Sequence, residues 1–341
     1  MGLRTYIIKR VINSVILLIF VLTINFAIFT LMPGNPIETL AASGRLKPGD
    51  TEVVFKLWGF DRPIHERYGK YLVNMLTWDF GLSFHTQSAV AYEMTGRLVN
   101  TLMLVGTSSI LAILLGVFLG VLAAFKRGKI FDSAAVVTSL ITYALPSFWL
   151  GMMALLIFSF NLHWFPSAGA VPASWAKAWP TPAFSGVIFG VEIAIPSLTE
   201  IGGRLYHLFL PMMVLTVFSY GGYLLLTRAT MLETLSEDYI VTARAKGLSE
   251  RTVLFKHALK NASLPIITNV ALTFAFLLTG AIITEQVFTY PGLGHWIWLS
   301  ITFADYPVMQ AIFYIIALCV IIANFLADLM YGLVDPRIKY G

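Results

Sequence analysis

The sequence predicts an all-α membrane protein of six transmembrane helices, and three observations lead there. Of 341 residues, 57% are hydrophobic and only 12% charged, about half the roughly 25% charged residues of a soluble domain. Mean hydropathy is +0.78. Apolar runs long enough to cross a bilayer as a helix of about 20 residues recur six times. Among the short connections the basic residues gather in alternate ones, as the positive-inside rule requires of a multi-pass chain; region 33–97 also carries basic residues, but loops that long largely escape the rule.

The first run, 11–32, follows Arg4, Lys9 and Arg10. It is longer than the roughly 7–15 apolar residues of a secretory signal and has no small-residue cleavage site after it, so it reads as a retained first span. Next comes a long external region, 33–97. Within it "RPIHERYGKYLVNML" places Ile64, Tyr68, Leu72 and Met75 on one helical face, with Pro63 suited to the first turn. The expectation is an amphipathic helix on the outer surface. Spans two to six fall at 98–125, 133–160, 208–231, 264–287 and 308–330. Gly116 and Gly120 make a GxxxG that lets a neighbouring helix approach closely, and Pro146 and Pro211 should bend their helices. The run "AFSGVIFGVEIAIP", 183–196, is too short to span and carries Glu192, so it reads as interfacial or re-entrant. No internal repeat appears, and the spans should form one bundle.

Orientation follows from the charges. "KRGK" after the second span, the basic residues between spans four and five, and Arg337 with Lys339 in the tail lie on one side. Residues 289–306 hold no Lys or Arg, and 161–206 hold only Lys177 and Arg204. Both termini are therefore expected in the cytoplasm of a cell-membrane protein. The formal charge of +5 lies in loops rather than in a basic stripe, which argues against nucleic acid. Cys319 is the sole cysteine, the histidines have no ligand spacing, and no phosphate-cradling G-x-x-x-x-G-K-[ST] occurs. No cofactor or metal is expected on this chain.

Glu285 at the outer end of the fifth span is a functional candidate because ionisable groups are costly at membrane depth; a hydrogen bond to the following turn is the structural alternative. Asn324 and Asp328, one turn apart near the inner end of the sixth, read as interfacial polar contacts or a gate. An ion-gradient transporter would carry charges at the midplane, and a membrane enzyme would cluster acids, histidines or a nucleophile with its base; neither pattern is present.

The longest charged interruption is "EDYIVTARAKGLSERTVLFKHALKNASLP". Ser236 can cap a helix, with Glu237 and Asp238 at the favourable end of its dipole. Lys246 falls in the last turn, and Gly247 stands where a left-handed residue ends a helix. Ser249 can cap a second helix, which must stop or bend before Pro265. A helix of about ten residues is marginal alone and needs a surface to pack on. Its small, mixed face of Tyr239, Ala243 and Lys246 suits a socket better than lipid headgroups, the alternative resting place of a charged loop.

That segment resembles the cytoplasmic coupling motif of ABC importer permeases, in the form carried by the first-permease branch of the dipeptide, oligopeptide and nickel family. "LMPGNP", "WDFGLSF", "EQVFTYPGLGHWI", "DYPVMQ" and "DPRIKY" resemble the same branch, in the family's order and over nearly the whole chain. Asn35 and Trp78 depart from it, standing where an acidic residue and a glycine are usual. The resemblance implies a type I importer permease fold: residues 1–94 as first helix plus external region, 95–330 as the transmembrane domain and 331–341 as a cytoplasmic tail. It implies a pore subunit that is not an enzyme. Its partners would be a second, homologous permease, two ATPases that hold the ATP and Mg, and an extracellular or periplasmic substrate-binding protein. Asp238, Tyr239, Thr242, Ala243, Arg244, Ala245, Lys246, Gly247, Leu248 and Pro265 would couple it to the ATPases. Glu285 with Tyr290, Pro291, Gly292 and Gly294 would shape the outer mouth. Peptides are the implied cargo, with oligosaccharide or nickel as alternatives on the same architecture.

Overall fold

A computed structural model of the chain describes residues 3–31, 62–177, 179–182, 184–188, 191–275 and 281–334. The chain divides into two compact units. One comprises Met1–Val99, Phe274–Thr279 and Gly292–Gly341, the other Asn100–Thr273 and Gly280–Pro291.

The first unit is built on α1 (Leu3–Leu31), which lies along α11 (Tyr306–Val334) and touches α2 (Ile64–Leu76). Only 11% of the most apolar window of α1 is buried, as expected of a helix whose remaining faces meet lipid. Its buried polar side chain Asn25 donates to Tyr71 Oη at 2.9 Å and to the Gln310 carbonyl at 3.0 Å. These bonds satisfy an amide that would otherwise be costly to bury. The expected amphipathic helix is present as α2, but its face is rotated. Tyr71 and Met75 are buried and Tyr68 bonds Thr23, whereas Ile64 is exposed. The aromatic rings, packing on Phe26, outweigh the smaller aliphatic residue. The short helix α10 (Leu293–Thr302) completes this unit against α11.

The second unit takes up α3 (Val90–Phe125) from Asn100 onward, then α4 (Ile130–Ala144) and α5 (Ser147–Ala154, continuing as a π-helical turn Leu155–Asn161). It goes on with α6 (Leu198–Leu235), α7 (Asp238–Ala245), α8 (Leu259–Ala275) and α9 (Ile282–Val287). The GxxxG is a helix–helix seam. A Cβ on Gly116 would lie 2.5 Å from Tyr223 Cβ, and one on Gly120 2.7 Å from Thr227 Cβ, both on α6. Across the next face of α6, a Cβ on Gly221 would lie 2.8 Å from the Ser139 carbonyl of α4.

Some expectations hold and others change. The third span bends at Pro146 as expected: α4 and the helix from Ser147 to Asn161 meet at 98°, because Pro146 brings no N–H and forces Leu145 out of helical geometry. Pro211, by contrast, sits inside an unbroken α6. The run 183–196, expected to be interfacial or re-entrant, forms a two-stranded hairpin, β1 (Phe184–Ile188) and β2 (Val191–Ile195), with Phe184 opposite Ile195 and Ile188 opposite Val191. Its β-branched alternation carries a strand signal that the all-α expectation passed over. Among the described residues four helices are long and apolar enough to cross a membrane, and the bent α4–α5 pair, taken as one span, makes a fifth. The expected span 264–287 corresponds to α8 and α9, with residues 276–280 outside the described residues. "LMPGNP" beyond Leu31 and the tail from 335 also lie outside them.

Candidate functional site

The charged segment forms the two helices expected, with altered caps. Ser236 does not cap α7; its hydroxyl turns back to the Glu233 carbonyl at 2.6 Å, so Glu237 takes the N-cap position. Asp238 opens the first turn and Arg244 lies in the last. At the far end Lys246 N–H bonds the Thr242 carbonyl at 3.1 Å and Gly247 N–H bonds that of Arg244 at 2.9 Å. Gly247 has φ +74, the left-handed ending foreseen. Ser249 caps the next helical turn, Glu250–Thr252, accepting from Thr252 N–H at 3.4 Å. Arg244 reaches over the turn to Glu250 at 2.9 Å; both are half-exposed, so the pair adds little stability. A π-helical stretch, Val253–Ala258, then leads into α8. That helix runs through Pro265 rather than stopping at Leu264. The proline removes one helical hydrogen bond, and the buried neighbours Ala262 and Ile266 hold the helix across it.

One expected feature of α7 is reversed. Ala243 does not lie on the outward face. Together with Ile240 it is buried against Val121 and Ala124 of α3, Met231 of α6, and Val253, Leu254, Ala258 and Ala262. Positions 240 and 243 fall on one stripe of a helix, and for an eight-residue element this stripe is what binds it to the unit. The outward face consists of Asp238, Tyr239, Val241, Thr242, Arg244, Ala245 and Lys246, followed by exposed Gly247 and Leu248.

Close by lies a pair that the sequence reading missed. Asp132, buried in the first turn of α4, receives Arg228 of α6 in a bidentate arrangement, Nε to Oδ1 at 2.5 Å and Nη2 to Oδ2 at 2.8 Å. It also accepts the Gly128 N–H at 3.0 Å, pinning the short α3–α4 turn. The available signal was that Asp132 opens one apolar span and Arg228 stands near the close of another.

The second cluster surrounds Glu285, which is fully buried in α9. Thr101 Oγ1 donates to its carboxylate at 2.7 Å, and its main-chain carbonyl accepts the Tyr290 N–H at 2.8 Å. Asn100 Nδ2 holds the Pro291 carbonyl at 2.9 Å. Burial, and then the nearby Glu285 charge, push the Tyr290 phenol up to about 12. Gly292 has extended backbone and precedes α10, in which Gly294 is buried. Of the sequence candidates, then, Glu285, Tyr290 and Pro291 are brought together with two α3 residues that had not been singled out. Asn324 is exposed on α11, and the Asp328 side chain lies outside the described residues.

Two motifs from distant parts of the chain also meet. Asp305, buried ahead of α11, accepts from Ser83 Oγ at 2.5 Å, Phe84 N–H at 3.0 Å and His85 N–H at 3.1 Å. It thereby ties "WDFGLSF" to "DYPVMQ". Trp78, where a glycine is usual, has φ +63. A left-handed backbone there accounts for the glycine preference and marks the tryptophan as locally strained.

A multi-pass helical membrane component with a capped, outward-facing helix is therefore the class that the fold and site define. The pattern described as binding-protein-dependent transport system inner membrane component matches residues 116–340, and the corresponding N-terminal pattern matches residues 3–105. The chain belongs to this family. It is 37% identical over 339 residues to the oligopeptide transport system permease protein AppB of Bacillus subtilis (strain 168), covering 99% of this chain and 100% of that one. It is 35% identical over 317 residues to the di/tripeptide transport system permease protein DppB of Pseudomonas aeruginosa (strain UCBPP-PA14), covering 93% of each. With the dipeptide transport system permease protein DppB of Escherichia coli (strain K12) the identity is 36% over the same length and coverage.

Proposed function

We propose that the chain is the pore subunit of an ATP-driven importer of di- and oligopeptides. The observation that carries the coupling half of this reading is the two-sided character of α7. Its inner stripe, Ile240 and Ala243, is keyed to the ends of α3, α6 and the segment leading into α8, while its outer face stays exposed. Motion imposed on that outer face would reach three long helices through packed side chains, which is what a handle for a remote engine requires. The peptide half rests on the relatives, each named for peptide transport and similar along nearly the whole chain.

On this reading six spans place both termini in the cytoplasm, and the chain pairs with a second, homologous permease. Two ATPases bind ATP and Mg and take the outer face of α7 into a cleft, so this chain binds no cofactor and hydrolyses nothing. A binding protein outside the membrane delivers cargo to the mouth around Glu285. The shift between inward- and outward-open states is driven by interactions that differ between them, as any such bias must be.

The test is reconstitution. The purified chain should show no ATPase activity, and the full complex in proteoliposomes should take up labelled dipeptide with hydrolysis stimulated by cargo-loaded binding protein. Glu285→Gln should assemble with the ATPases yet alter that stimulation. Hydrolysis surviving removal of every partner, or an ATP-independent uptake, would overturn the assignment.

A further inference from the structure

Among the described residues, the elbow between α4 and α5 lays main chain open inside a span. α4 begins at Ile130, next to Lys126, Arg127 and Lys129, which hold that end at the membrane surface. Its 15 residues cover about 22 Å at roughly 1.5 Å per residue, so the elbow lies within the roughly 30 Å of hydrocarbon. Here the hydrogen-bond ladder lapses. Leu145 N–H still bonds the Ile141 carbonyl at 3.2 Å, Pro146 has no N–H, and Trp149 and Leu150 N–H both turn to the Pro146 carbonyl at 3.0 and 3.2 Å. Among the described residues no main-chain N–H serves the carbonyls of Thr142, Tyr143 and Ala144.

Such a lapse cannot face lipid. Irregular backbone at membrane depth is tolerated only where protein covers it or water reaches it. Yet the elbow's side chains stand open: Tyr143 is 63% exposed, Phe148 43% and Trp149 41%. On its other side α5 is seated on α9, where a Cβ on Gly151 would come within 3.2 Å of Val287 and 3.4 Å of Phe288. The elbow is thus continuous with the cluster around Glu285.

We propose that this elbow faces the water-filled translocation path and receives the main chain of an extended cargo peptide. The three carbonyls accept its N–H groups or its ammonium terminus. Tyr143, Phe148 and Trp149 flank it with a surface that side chains of any kind can brush. Recognition through main chain suits cargo of variable sequence, because every peptide carries the same donors. This rests on the peptide-importer reading above and adds to it the residues that meet cargo.

The test is thiol accessibility in the whole reconstituted complex. Cys319 is the chain's one cysteine, so Cys319→Ser provides the background for Tyr143→Cys and Trp149→Cys, both at exposed positions. Phe20→Cys on α1, 59% exposed, serves as the lipid-facing control. A charged, membrane-impermeant methanethiosulfonate reagent should label positions 143 and 149 and leave position 20 unmodified. Peptide-loaded binding protein should slow the first two several-fold. If both elbow cysteines are as inert as position 20 while peptide uptake persists, the elbow assignment fails and the importer reading stands. If they are labelled but protected only by a non-peptide cargo such as an oligosaccharide, the peptide reading fails and the elbow remains part of the path.

Discussion

Replacing Gly247 by asparagine, alanine and valine in turn separates backbone strain from steric clash. The residue has φ +74, and a Cβ built there meets nothing within 4 Å, so a methyl group has open space. What remains is the cost of holding an L-residue left-handed, about 1–2 kcal/mol for residues with a Cβ. It is smallest for asparagine, which visits that region most readily, and greatest for a β-branched side chain. A penalty of 1–2 kcal/mol lowers the fraction of molecules with the turn in place by roughly 5- to 30-fold. The chain itself should insert and fold, because Ile240 and Ala243 keep α7 on its core and no span is touched. The assay is copurification of the ATPases with cargo-stimulated hydrolysis in proteoliposomes. Coupling should fall from Gly through Asn and Ala to Val. A valine variant with full coupled transport, or an asparagine variant as impaired as valine, would refute the reasoning.

Two further outcomes are expected. Gly116→Ala and Gly120→Ala drive methyl groups toward main-chain carbonyls of Tyr220 and Leu224, at 2.6 and 2.8 Å, and neither carbonyl can swing aside. Each should lower stability by about 1–3 kcal/mol, in the range of overpacked cores, read as a lower melting temperature of the solubilised complex; an unchanged melt would mean the α3–α6 seam is looser than described. Arg228→Ala leaves Asp132 buried without its main partner and should cost about 3–5 kcal/mol, as broken buried pairs do. Asp132→Arg combined with Arg228→Asp should recover part of the loss in complex yield, and a double variant no better than the single one would show that the charges do not act as a pair.

The charged segment from Glu237 to Pro265 was the most legible part of the chain, because caps and left-handed glycines act within a few residues of one another. Gly247 and Ser249 therefore emerge as read. Ser236 does not, since its hydroxyl has a competing acceptor one turn back, the Glu233 carbonyl at 2.6 Å. The inward turn of Ala243 escaped notice for a different reason. A small residue on a mixed helix fits either face, and only the presence of Val121, Met231 and Leu254 decides which. At 183–196 the strand pattern was visible in the sequence, but a chain full of apolar helices drew attention to membrane depth rather than to the hairpin the segment forms.

By itself the sequence determined what depends on composition and on short-range geometry: the membrane class, the placement of most spans, the proline elbow, the glycine seam and the capped helix with its break. Burial in lipid is set by local apolar content, and a turn by its own φ and ψ, so neither needs a distant partner. Tertiary structure alone decided the pairings across the chain. Asp132 meets Arg228 across 96 positions, Ser83 meets Asp305 across 222, and Thr101 meets Glu285 across 184. Each is a polar group that pays for its burial only if one particular partner arrives in register. Nothing in the spacing of one sequence names that partner; the packing of the helices does.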